Sequence, residues 1–161
     1  MMVYHGTNKN NANNIKKYGI QLNNDSLNID NKGYGSYITA FFITPNADIA
    51  HIYESDHNKN NSVMIEFDLN NNSKIFDLTV EENQNILIDY LQNNKNNTVN
   101  NFLENNNFDG CKQIHKNDFG LNRLEYAIVN KNILQLSKIT KTKFMSLYSE
   151  AIQEIDLNDY I

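Results

Sequence analysis

The sequence has one cysteine, one proline and no long apolar run. A lone Cys111 builds neither a disulfide framework nor a cysteine-paired zinc site. It is expected as a small buried apolar residue. A membrane-spanning helix needs about 20 apolar residues in succession, and no such stretch exists, so no membrane partner is expected. No apolar leader precedes Tyr4 and His5, so a soluble, cytoplasmic chain is expected. Positive charge is also short: 14 Lys and Arg stand against 19 Asp and Glu, a net charge of −5. A nucleic-acid binder normally shows a basic face. Lys138, Lys141 and Lys143 cluster late in the chain and read as an ordinary solvated stretch. Neither G-x-G-x-x-G nor G-x-x-x-x-G-K-[ST] occurs, so any nucleotide is held by another device.

Asparagine is what the chain has in excess, at about a fifth of its residues. Short runs such as Asn70-Asn71-Asn72 and Asn105-Asn106-Asn107 fall between apolar segments. Asparagine side chains bond nearby backbone and tolerate left-handed geometry, so these runs read as loop filler. Nine Tyr, eight Phe and 40% apolar residues argue for a folded protein. A length of 161 residues suits one domain spanning residues 1–161.

Val3–Thr7 reads as a short strand. Residues 8–18 have helical character, with Gly19 as the stop. Residues 21–36 are polar and read as a loop. Tyr37–Thr44 is aromatic and β-branched, hence a strand, and Pro45 suits the first turn of a helix. Alternation of Val63, Ile65, Phe67 and Leu69 predicts a half-buried strand. Ile75–Leu78 reads as a short strand, residues 81–93 as a helix, and Val99–Leu103 as a second short helix. Tyr126–Val129 and Ile133–Ile139 read as late strands. Phe144, Leu147, Tyr148, Ala151, Ile152 and Ile155 recur at helical spacing, predicting an amphipathic C-terminal helix over about 142–156. Strands and helices mixed without regular βα alternation give an α+β fold class.

Three segments carry chemistry. In Tyr4-His5-Gly6-Thr7 the imidazole suits a ribose hydroxyl, and the glycine lets a flat ligand approach the backbone. Phe42 and Tyr53 stand eleven positions apart, across a strand, a turn and a helix. Two aromatic rings sandwich a planar heterocycle, including a cationic one. In Leu124-Glu125-Tyr126-Ala127-Ile128-Val129 a carboxylate heads an apolar strand, and buried charge needs a reason. It lies either at a solvated strand end or on a cleft.

Together these segments resemble the ADP-ribosyltransferase superfamily, on the branch named for a His-Tyr-Glu triad. That branch includes the diphtheria toxin-like enzymes and the poly(ADP-ribose) polymerases. Tyr4-His5-Gly6-Thr7 with a helix ending near Gly19-Ile20 looks like the first motif. Phe42-Ile43-Thr44 with Ala50 and Tyr53 looks like the second. Glu125 with the strand behind it looks like the third, and Asp109-Gly110 resembles the loop that precedes it.

The resemblance implies two small packed antiparallel-type sheets, flanking helices and an NAD cleft. It also implies roles. His5 bonds the adenosine-side ribose, the Gly6 backbone holds the carboxamide, Tyr53 stacks on nicotinamide, and Glu125 bonds the nicotinamide ribose. Thr7, Phe42, Thr44 and Ala50 complete the expected NAD contacts. NAD is then a co-substrate, and no metal is implied.

The departures are specific. Phe42 replaces the triad tyrosine, so a hydroxyl is lost. Arg123 stands where arginine-modifying relatives place Glu or Gln, and Ala50 supplies no hydroxyl. Nothing marks polymer elongation. Single transfer to a macromolecular acceptor is the expectation. The acidic charge leans toward a protein or a small molecule, with nucleic acid left open. Transfer to water, or binding of NAD or a partner without transfer, are the alternatives.

Overall fold

A computed structural model describes residues 1–29, 35–47, 62–116, 122–146 and 149–155. They form an α+β fold with two mostly antiparallel sheets and, among the described residues, three α-helices. The chain divides into two compact units. Unit 1 comprises Met1–Gln21, Ile43–Asn71 and Leu134–Ile161; unit 2 comprises Leu22–Phe42 and Asn72–Ile133.

Unit 1 holds a four-stranded antiparallel sheet. Its strands are β1 (Met2–Asn8), β4 (Ser62–Leu69), β8 (Leu134–Ser146) and β9 (Ser149–Ile155), in the order β1-β4-β8-β9. In β4 Val63, Ile65, Phe67 and Leu69 are all buried, as their alternation predicts, and Met64 is buried as well. Helix α1 (Lys9–Tyr18) follows β1 directly. The Asn8 side chain caps it by accepting from the Asn11 N–H at 2.9 Å. Gly19 ends it at φ 80°, a left-handed value that favours glycine. The Gly19 N–H donates back to the Ile15 carbonyl. Lys16 and Lys17 place positive charge in the last turn, where the helix dipole favours it.

Unit 2 holds β2 (Asn23–Asn28), β3 (Gly35–Ile43, entering unit 1 at its last residue), β5 (Ile75–Asp77), β6 (Gly110–Lys116) and β7 (Asn122–Ile128). Their order is β2-β3-β7-β6-β5, with β5 and β6 parallel. Helices α2 (Glu81–Asn93) and α3 (Val99–Asn105) contribute Leu87, Phe102 and Leu103 to a core shared with Ile38, Ala40 and Ala127. The Phe76 and Phe102 rings meet edge-on at 5.0 Å between centroids. Val80 gives α2 no side-chain cap, but Glu81 and Glu82 occupy its first turn. Asn83 Nδ2 and Gln84 Nε2 tie α2 to the carbonyls of Asp77 and Leu78. The Thr98 side chain caps α3, and the Asn100 amide brackets both the N–H and the carbonyl of Thr39, each at 2.9 Å.

Three expectations are corrected. Residues 23–28 form β2 instead of continuing a loop, because Leu27 is fully buried and main-chain pairing with β3 satisfies the polar run. Gly110 opens strand β6 instead of ending a loop. The expected helix over 142–156 gives way to the end of β8 and to β9, paired antiparallel from Ile139↔Ile155 to Ser146↔Ser149. Thr140, Thr142 and Phe144 alternate with lysines, a period of two that suits a strand extending an existing sheet. The helix expected to run from Pro45 to Tyr53 falls mostly outside the described residues, which stop at Ala47 and resume at Ser62.

Candidate active site

The first motif and the Thr44 end of the second meet inside unit 1. Tyr4 and Thr44 form an antiparallel bridge. The Tyr4 N–H donates to the Thr44 carbonyl at 2.8 Å, and the Thr44 N–H returns to the Tyr4 carbonyl at 2.9 Å. Two segments forty positions apart are thus joined by main chain at both motifs. Alternation along β1 puts His5 on the face it shares with Val3 and Thr7, opposite Ile65 of β4. Val3 and Thr7 are buried there and His5 is half-buried. Tyr4 and Gly6 lie on the opposite face. The buried Thr44 hydroxyl accepts from the Asn46 N–H at 3.2 Å, which turns the chain after β3. Ala50 and Tyr53 lie outside the described residues.

Phe42 and Glu125 belong to unit 2. Phe42 is half-buried and packs against the core of that unit. It follows Ile38 and Ala40 on one face of β3, the face that bears Ala127 on β7 and Cys111 on β6. Glu125 is two positions from Ala127 and shares its face. The second and third motifs therefore place a ring and a carboxylate on one side of one sheet.

Glu125 does not head its strand. It is the fourth of the seven residues of β7, so the solvated strand end is excluded. Opposite it on β6 stands Gln113, only 2% exposed. Gln113 Nε2 donates to Glu125 Oε2 at 3.0 Å. Gln113 Oε1 accepts the main-chain N–H of Asn28, at the end of β2, at 3.1 Å. An N–H only donates and a carboxylate only accepts, so the amide has one orientation that serves both. Three strands are linked by one side chain.

Cys111 is the next residue along this face of β6. Burial, and then the Glu125 charge, push its thiol up to about 12. Arg123, two positions before Glu125, is 6% exposed and opposes His115 in the register. Sequence reasoning passed over Gln113. The signal available was the alternation of Cys111 and Gln113 with Lys112 and Ile114, which sets the amide on the face opposite Lys112.

Among the described residues no group of three or more His, Cys, Asp or Glu is placed to hold a metal ion. No helix among them is long and apolar enough to cross a membrane. His5 lies in unit 1 and Glu125 in unit 2, and each is defined by the strand that carries it. No family model, curated protein or solved structure matches the chain.

Proposed function

We propose that the chain is a mono-ADP-ribosyltransferase of the His-Tyr-Glu branch, with the ADP-ribosyltransferase fold and NAD as co-substrate. The observation that carries this reading is the carboxylate of Glu125, half-buried in mid-strand and held by a buried amide. Keeping a carboxylate there is costly unless its charge is used or fully partnered. The main-chain bridge from Tyr4 to Thr44 supports the reading as well, because it unites two of the three motifs.

The proposed reaction breaks the bond between the nicotinamide nitrogen and C1′ of its ribose. The electron pair leaves with the nitrogen, so a cationic pyridinium departs as neutral nicotinamide. The sugar passes through an oxocarbenium-like state, as in glycoside cleavage. Glu125 bonds the ribose 2′-hydroxyl and sets a fixed negative charge beside the forming cation. An acceptor nucleophile then bonds C1′ and gives up its proton to solvent water. The resemblance assigns His5 to the far ribose, the Gly6 backbone to the carboxamide and Tyr53 to the leaving ring. It assigns Thr7, Phe42, Thr44 and Ala50 the remaining NAD contacts. The acceptor proposed is a protein.

The test is incubation of the chain with a cell extract and NAD labelled in its adenylate half, with nicotinamide measured separately. Label on protein together with released nicotinamide supports transfer. Free ADP-ribose alone makes the chain a glycohydrolase. A second reading, binding without transfer, rests on Phe42, whose ring packs on the core and brings no hydroxyl. Tight NAD binding with no released nicotinamide supports it. Absence of both binding and release rejects the NAD reading.

A further inference from the structure

We infer that Gln113 is a positioning residue for Glu125 in the proposed reaction, an assignment that rests on the NAD reading above. Its amide is buried and anchored at one end to the main chain of β2, so its other end is a fixed donor. Glu125 receives that donor from the neighbouring strand, directly across the register. A glutamate has three side-chain torsions, and each hydrogen bond to its carboxylate narrows the rotamers it samples. The Nε2–H bond restricts that sampling before any ligand arrives. The carboxylate is then preorganised where charge develops, and preorganisation of this kind acts on turnover more than on ground-state binding. Gln113 itself touches no reacting atom in this scheme. The Asn28 N–H matters equally, since it stops the amide from flipping.

The test uses the full chain and the Gln113→Met variant, which keeps length and volume but removes both hydrogen bonds. Two quantities are read: steady-state nicotinamide release, and the Glu125 side-chain rotamer from scalar couplings by NMR. The expected result is a fall in kcat of about tenfold or more with KM for NAD within about twofold, and rotamer averaging at Glu125. A purely structural role predicts no such split between kcat and KM. Unchanged turnover in Gln113→Met overturns the assignment, and so does a Glu125 rotamer that stays single. If the wild-type chain releases no nicotinamide while the exchange still loosens Glu125, the NAD reading falls and the hold of Gln113 on Glu125 stands.

Discussion

Gly110 lies so close to Ala127 that a Cβ on Gly110 would sit 2.4 Å from the Ala127 carbonyl oxygen. The atom in the way is main chain, in the strand that carries Glu125, and it has no rotamer to yield. Gly110→Ala should therefore push β7 away from β6. Overpacking of this kind costs about 1–3 kcal/mol. Chemical denaturation should show the loss as a lower midpoint at unchanged slope. A midpoint equal to that of the wild type would mean that the two strands separate freely.

Glu125→Gln separates chemistry from folding. The substituted amide keeps an oxygen that accepts the Gln113 Nε2–H, so the strand pairing survives. The fixed charge is lost. Under the proposed mechanism turnover should drop roughly 10²–10³-fold, with the thermal midpoint little changed. Turnover near normal in this variant removes Glu125 from the reaction.

Cys111 should be inert in the folded chain. With its thiol at about 12, the thiolate is about 10⁻⁴ of the population at pH 8. Alkylation by iodoacetamide at that pH should be slow until denaturant is added. Stability carries the same signature. The thiol titrates higher in the folded state than in the unfolded one, so its contribution is whole below pH 9 and drains away as pH rises toward 12. Cys111→Ala should flatten that alkaline decline. Equal slopes for the two chains would contradict the assignment.

Asp77 should act at the other end of the pH scale. Burial raises its carboxyl, but the Lys112 ammonium, 2.7 Å away, and the Thr79 donors outweigh it and hold the carboxyl below its ordinary range. A lowered pKa stabilises the fold above the unfolded value of 3.8, and that stability is lost as pH falls through the folded value. Asp77→Ala should therefore destabilise more at pH 7 than at pH 3, read from urea midpoints. A constant difference would assign the effect to the turn that Asp77 makes with Thr79.

Much of this was legible in the letters. Asn8 and Gly19 bracket α1, and both termini behave as their chemistry dictates. The alternation in β4 and the helical spacing of residues 81–93 also hold. The polar segments were not legible. In Asn-Asn-Asp-Ser-Leu-Asn only Leu27 is buried, so β2 is a strand because β3 offers it a ladder. Residues 142–155 fit a helical period and a strand period alike. Pairing with β8 decides between them, and pairing is a long-range fact. Glu125 was visible because a charge in an apolar run is conspicuous. Gln113 was not, since a neutral amide becomes notable only once its two partners, Asn28 and Glu125, are known.

The two units are interleaved: the chain crosses between them after Gln21, Phe42, Asn71 and Ile133. Neither is a continuous stretch that can be cut out and expressed alone. Within the first sheet β4 hydrogen-bonds to β1 on one side and β8 on the other. A nascent chain leaves the ribosome with β1 and β4 long before β8, so one side of β4 waits bare while residues 72–133 are made. Such an edge is an aggregation template, and closing it over a long sequence separation is slow. A nascent polypeptide arrested before Leu134 is therefore where chaperone demand should peak.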